Sequence, residues 1–235
     1  MVHVGLDSNG YRPLGVDVIP PTDFIGRPRP LQVLDDVSVY RDYQNRFLRK
    51  YGPLLRGDLI EIGGERHHQH SQYFPNADSF VVSNIARDFD LALDATDLPF
   101  PDDSRDGYVC LSVLQHIPDP RAAVREMYRT LRPGGDLLLV VPFLFPVCDV
   151  VDFERWTPMG LEELVGDFNL EAVVHLGGRV STVVNLLQRP VKSRSRRSLV
   201  AKSFGAAMAI VMGSFDQCDD SPLGIGIHAT KVEGD

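Results

Sequence analysis

Side chains and turns able to bind a ligand or move a proton gather at four places in this sequence. Glu61-Ile62-Gly63-Gly64 leaves a short apolar run. Its glycines permit a tight turn and close approach of the backbone to a ligand, and a carboxylate at a strand end can hold a hydroxyl or an amine. The phosphate-cradling GxGxxG spacing is absent and Glu65 adds negative charge, so the loop does not suit a dinucleotide pyrophosphate. His116 follows a second apolar run and is the candidate general base for a hydroxyl nucleophile, its plainer use being a hydrogen bond to a backbone carbonyl before Pro118. In His67-His68-Gln69-His70 the first and last histidines could share a helix face, but no third ligand accompanies them. A polar loop over a pocket is therefore expected, and no metal. Arg189 to Arg197 is the single basic cluster; it suits a phosphorylated or nucleotide-linked substrate, or a solvated turn.

These groups need elements to hold them. Asp58–Ile62, Ser79–Asn84, Leu91–Leu93, Gly107–Ser112 and Leu137–Pro142 are short runs, apolar at consecutive positions, the pattern of strands buried on both faces. Helices are expected over 37–51, 119–131 and 158–168. The second of these carries Asp119-Pro120 as its start and Arg132-Pro133-Gly134-Gly135 as its stop. Strands at 170–176 and 224–232 complete a sheet. Alternating strands and helices imply parallel pairing through right-handed crossovers, hence an α/β, doubly wound, mostly parallel seven-stranded sheet with helices on both faces. Ligands bind such sheets at the carboxyl ends of the strands, where Glu61, Asn84, Asp94 and Ser112 fall.

Composition narrows the partners. The chain has 235 residues, 24 Lys plus Arg against 32 Asp plus Glu, and a formal charge of −8. That balance argues against nucleic acid or an anionic membrane and for a small molecule. The three cysteines lie far apart without a CxxC pair, so a reducing cytoplasm is the default. The opening residues lack the apolar core of a signal peptide. Leu199–Phe215, roughly 17 residues, is short for a bilayer span and reads as a buried or interface helix. Its Ala206–Met212 stripe could line a substrate pocket or a homodimer seam, with core packing as the default. Prolines at 13, 20, 21, 28 and 30 suggest an extended arm.

Three blocks, Asp94-Ala-Thr-Asp-Leu-Pro-Phe-Pro-Asp-Asp-Ser104, Asp106 to Pro120 and Leu131-Arg-Pro-Gly-Gly-Asp-Leu-Leu-Leu139, resemble the "DAxxLPFPDxSFD…EHIPDP…LRPGG" pattern. On them the sequence, over about residues 57–178, resembles the class I methyltransferases that use S-adenosylmethionine, in their small-molecule, type 11-like group. The resemblance implies a Rossmann-like methyltransferase fold, a cofactor site and a transferase activity. Glu61, Gly63 and Gly64 match the loop for the methionine part of the cofactor. Asn84 stands where the family has an acidic residue for the ribose, and Asp94 and Ala95 match the pair that reads the adenine edge. Ser112 flanks cofactor and substrate, and His116 matches the motif histidine, with Gln115 in place of Glu. Asp152 to Leu161 is similar to a "DYWRFTPEGL" motif, which nominates Asp152, Arg155 and Trp156 for the substrate. Glu65 replaces the family's second glycine and Arg105 its phenylalanine. The resemblance divides the single domain into an arm and helix (1–55), a cofactor-binding core (57–178), a helical insertion (179–223) and a last strand (224–233). The expected function is methyl transfer to a small-molecule oxygen, on a sugar or secondary metabolite. The alternative is a methyltransferase-like protein without methyl transfer.

Overall fold

The computed structural model describes residues 38–65, 70–86, 89, 91–147, 151–188 and 221–233. The proline-rich arm, His67 and His68, the basic segment and the 199–215 helix expected from the sequence lie outside the described residues.

Seven strands form one sheet: β1 (Gly57–Ile62), β2 (Ala77–Asn84), β3 (Leu91–Ala92), β4 (Arg105–Leu111), β5 (Leu131–Pro142), β6 (Phe168–Leu176) and β7 (Gly224–Lys231), in the order β3-β2-β1-β4-β5-β7-β6. The five strands from β3 to β5 are parallel, and β7 runs antiparallel between β5 and β6. The consecutive apolar runs are explained by two cores. Ile60, Ile62, Tyr108, Cys110, Leu137 and Leu139 face one, while Leu59, Val109, Leu111, Leu138 and Val140 face the other. Side chains alternate across a strand, so a strand covered on both sides must be apolar at every position.

Helix α1 (Val39–Tyr51) covers one core with Tyr40, Tyr43, Phe47, Leu48 and Tyr51. Helices α2 (Pro120–Thr130) and α3 (Pro158–Leu164) cover the other with Ala123, Met127, Leu161 and Leu164. Burial of this kind stabilises by about 1.5–3 kcal/mol for each large side chain. Asp119 caps α2 by accepting from the Ala122 N–H at 2.9 Å, with Pro120 in the first turn, as the sequence predicts. Several boundaries move by one or two residues, and two move by four or more. Helix α3 stops at Leu164 because Gly166-Asp167 turns the chain into β6, with Gly166 N–H bonded to the Glu163 carbonyl at 3.3 Å. Strand β5 begins six residues early, since Leu131 pairs with Arg105 before the Gly134-Gly135 segment is skipped by a register shift. Helix α4 (Arg179–Gln188) follows the Gly177-Gly178 turn and leans on α1 through the Tyr43 to Ser181 hydroxyl bond of 2.7 Å. Among the described residues no helix is long and apolar enough to cross a membrane.

Candidate active site

At the carboxyl ends of β1 to β4 the loops enclose a cavity of about 810 Å³. Its wall includes Glu61, Gly63, Gly64, Asn84, Asp94, Ala95, Ser112 and His116, so every cofactor and base candidate read from the sequence is brought to one place. Cavities of this size hold a cofactor-sized molecule.

Gly63 ends β1 with a φ of 67°, and a Cβ there would meet Val113 Cγ1 at 2.6 Å. A Cβ on Gly64 would meet Val82 at 2.5 Å and the Glu61 carboxyl at 2.9 Å. Both positions demand glycine, the first for backbone conformation and both for space. The bare loop keeps open a cradle beside Glu61. Glu61 is 2% exposed. Its Oε1 accepts from His70 Nδ1–H at 2.8 Å, while its Oε2 is buried without a hydrogen-bond partner. A buried carboxylate oxygen left unpaired is costly, and a ligand ammonium entering the cavity would satisfy it.

Asp94 accepts two bonds from Thr96, from its N–H at 2.9 Å and its hydroxyl at 2.7 Å. These bonds, the hydroxyl's first, hold its carboxyl below the usual carboxylate range, so Asp94 presents a charged acceptor at the rim. The loop that carries it is fixed by Arg129, which donates to the Leu98 carbonyl at 3.0 Å, the Phe100 carbonyl at 2.9 Å, Asp102 at 2.6 Å and Glu126 at 2.7 Å. Arg129 in turn holds the Glu126 carboxyl below its ordinary range. Arg105, where the motif has phenylalanine, places its guanidinium 4.7 Å from the centroid of the Phe100 ring, so a cation–π contact stands in for an aromatic one.

Asn84 lies on the cavity wall with its amide engaged: Nδ2–H donates to the Gly64 carbonyl at 3.0 Å and Oδ1 accepts from Ala86 N–H at 3.1 Å. It ties the end of β2 to the glycine loop and keeps one N–H for a ligand.

Ser112 takes the left-handed conformation, φ 58°, directly after β4. A serine there is strained by about 1–2 kcal/mol and is held by its neighbours. Its N–H bonds Val140 at 2.7 Å, its carbonyl accepts from Gln115 Nε2–H at 2.6 Å, and its hydroxyl meets Tyr40 Oη at 2.8 Å. His116 is half-buried. Its Nδ1 faces the Val151 carbonyl, which can only accept, so Nδ1 carries the proton; Nε2 then accepts from Gln115 at 3.0 Å. With Phe153 N–H on the Gln115 carbonyl at 2.7 Å, these bonds strap the 151–153 segment to the loop after β4.

Asp152, Arg155 and Trp156 stand outside the cavity lining. Asp152 and Arg155 form an ion pair through two hydrogen bonds. Trp156 is 7% exposed and packs in the core with Leu161. Sequence reasoning missed Arg41, which lines the cavity from α1, and misjudged His70, read as one of a polar triplet but buried at 5% against Glu61. Nothing local to Arg41 marks it, because it reaches the cavity only through the packing of α1 on the sheet. Among the described residues no three His, Cys, Asp or Glu side chains cluster as metal ligands do.

A family model described as a methyltransferase domain matches residues 74–139. The chain is 28% identical over 159 residues to a ubiquinone/menaquinone biosynthesis C-methyltransferase from a Bradyrhizobium species, covering 65% of this chain and 54% of that protein. Both matches are to methyltransferases, and the chain is similar to them over part of its length. A stretch of 49 residues is 47% identical to the chloroplastic 2-methyl-6-phytyl-1,4-hydroquinone methyltransferase of Arabidopsis thaliana, covering 21% of this chain and 14% of the plant enzyme. This chain therefore spans from 14% to about half of the length of these curated relatives. Among solved structures, geranyl diphosphate C-methyltransferase from Streptomyces coelicolor, in complex with Mg2+, geranyl diphosphate and S-adenosyl-L-homocysteine, aligns with a TM-score of 0.55 at 13% identity, covering 92% of the present chain and 89% of the other. At that identity the likeness is one of fold. The residues lining the cavity fit S-adenosylmethionine on their own geometry: an orphaned carboxylate oxygen, a glycine cradle and a charged rim aspartate converge on one cavity.

Proposed function

We propose that the cavity binds S-adenosylmethionine and that the chain transfers its methyl group to a small-molecule acceptor entering past Ser112, His116 and Ile117. The unpartnered Glu61 Oε2 facing a glycine-walled cavity is the observation that carries this reading, because it calls for a cationic ligand group at the methionine end. Bound there, the cofactor supplies an electrophilic methyl on a sulfonium whose sulfur departs neutral. The protein's task is then alignment, worth on the order of 7–11 kcal/mol when geometry is right. Glu61 holds the amino-acid end, Asp94 and Ala95 the adenosine end, and the Ser112 loop walls the side from which the acceptor approaches.

The hydrogen bonds of His116 support a strapping role: one nitrogen is given to Val151 and the other receives Gln115. An acceptor that brings its own reactive electron pair suits such a wall, and the two relatives are named for methylation in quinone chemistry. A carbon of a small phenolic ring is accordingly the first acceptor to test. The bond that forms is carbon–carbon, the carbon–sulfur bond breaks, and the ring proton leaves to solvent. A hydroxyl of a sugar or secondary metabolite is the second reading, favoured by the place of His116 on the cavity wall; Asp152, Arg155 and Trp156 would act on either acceptor indirectly, through the strapped segment.

The test is turnover with carbon-labelled methyl donor and matched phenol and sugar panels, the product read by carbon NMR. Carbon methylation with His116→Ala slowed less than about tenfold is the expected result. Oxygen methylation with a loss of about 10²–10⁴-fold in that variant would make His116 the base. Tight cofactor binding with no product from any acceptor would favour a protein that holds the cofactor without methyl transfer.

A further inference from the structure

The cavity wall is acidic at the end formed by the β1 loop, where Glu61 and Glu65 stand four residues apart. An amino acid bound there brings a carboxylate as well as an ammonium, and that carboxylate needs a cation. Arg41 is the single Lys or Arg side chain among the described residues lining the cavity. It is half-buried, forms no ion pair among the described residues, and makes one side-chain hydrogen bond, a long one of 3.5 Å from Nη1 to His70 Nε2. A guanidinium has five N–H donors, so four remain.

His70 sits between the opposite charges. Arg41 can only donate, so His70 Nε2 accepts and Nδ1 carries the proton to Glu61 Oε1 at 2.8 Å. The imidazole is 5% exposed, and its ring lies 6.4 Å from that of Tyr73. Interposed in this way, it keeps Arg41 from closing directly onto Glu61, which would neutralise both. Each charge therefore keeps free valence: Oε2 on Glu61 and the guanidinium fork on Arg41.

We propose that Arg41 and His70, both outside the 74–139 stretch that carries the family match, complete the amino-acid end of the cofactor site. Arg41 takes the α-carboxylate through its planar fork, Glu61 Oε2 takes the α-ammonium, and His70 is a positioning residue that spaces the two. This inference rests on the cofactor reading above and adds which residues of this chain recognise the zwitterion.

Two ligands isolate the claim: S-adenosylhomocysteine, which has the amino-acid arm, and 5′-methylthioadenosine, which lacks it. Calorimetry on the full chain measures both. Arg41→Ala is expected to weaken S-adenosylhomocysteine by about ten- to a hundredfold, the range for hydrogen bonds to charged groups, while 5′-methylthioadenosine stays within about twofold. Arg41→Lys should recover part of the loss, and His70→Leu should lower the same ratio. The adenosine ligand doubles as the folding control for each variant. Equal loss for the two ligands, or loss for neither, overturns the assignment of Arg41 while leaving the cofactor reading standing. Failure of the unmodified chain to bind either ligand overturns both.

Discussion

The two loops that close the cavity are held in opposite ways. After β1 the turn is made by glycines and stays open: Gly63 and Gly64 leave space, and Glu61 keeps one buried oxygen without a partner. After β4 the turn is made by a strained serine whose cavity-side groups are engaged: the N–H, carbonyl and hydroxyl of Ser112 and both nitrogens of His116 bond protein groups. Both loops reach the left-handed region, with φ of 67° and 58°, and each leaves one buried side-chain oxygen unpaired, Glu61 Oε2 and Gln115 Oε1, but only Glu61 lines the cavity. A ligand gains most where the protein has left a polar atom unpaired, so the first loop is built to bind. The second is built to keep its shape and presents a wall.

Breaking the open loop should have the largest effect. Gly63→Ala combines the left-handed strain, about 1–2 kcal/mol, with a clash against Val113 of about 1–3 kcal/mol. A loss of about 2–5 kcal/mol in denaturant unfolding is expected, with part recovered by adding Val113→Ala. A loss below about 1 kcal/mol would show that the turn tolerates a side chain and that its openness is incidental. The loop after β4 should respond in rate rather than affinity. Gln115→Ala removes the donor to both Ser112 and His116 and should cut kcat by about ten- to a hundredfold, the scale of a small misplacement. Cofactor affinity should stay within about twofold; a matching fall in affinity would mean that both loops bind.

The smallest effect sharpens the rim. Thr96→Val removes the first of the two bonds that hold the Asp94 carboxyl below its usual range. A lowered carboxyl stays ionised as pH falls, so the unmodified chain should keep cofactor affinity into the acid range where an ordinary aspartate, near pH 4, begins to protonate. The variant should lose affinity at higher pH than the unmodified chain and match it at neutral pH. Superimposable profiles would mean that the Asp94 charge plays no part in binding.

Much of this was legible beforehand because it is local. The β1 and β4 runs are apolar at consecutive positions since both faces are covered, whereas β2, expected to be buried in the same way, leaves Val81 exposed; Asp119-Pro120 announces α2 through its own capping bond. The early start of β5 was hidden, because a register shift against β4 depends on a neighbouring strand rather than on Leu131 itself. Within the site, Glu61, Gly63, Gly64, Asp94 and Ser112 could be found because strand ends in a doubly wound sheet converge. Arg41 could not: it comes from a helix that reaches the cavity by packing Tyr40, Tyr43 and Phe47 on the far core. Nor could the orientation of His116, whose bond to Val151 spans 35 residues.

Residue types by themselves determined where the chain must turn, which strands are buried and which loops carry carboxylates or glycines, since those follow from side-chain size, backbone freedom and burial over a few neighbours. Only the tertiary structure decided which polar atoms remain available. Glu61 and Asp94 are both carboxylates at strand ends, but one has an oxygen left empty beside His70 and the other is charged by its own Thr96. Hydrogen-bonding capacity is used up by whatever folding brings within about 3 Å, and in this cavity some of those partners are near in sequence, as Thr96 is to Asp94, while others, Tyr40 on Ser112 and Val151 on His116, come from distant parts of the chain.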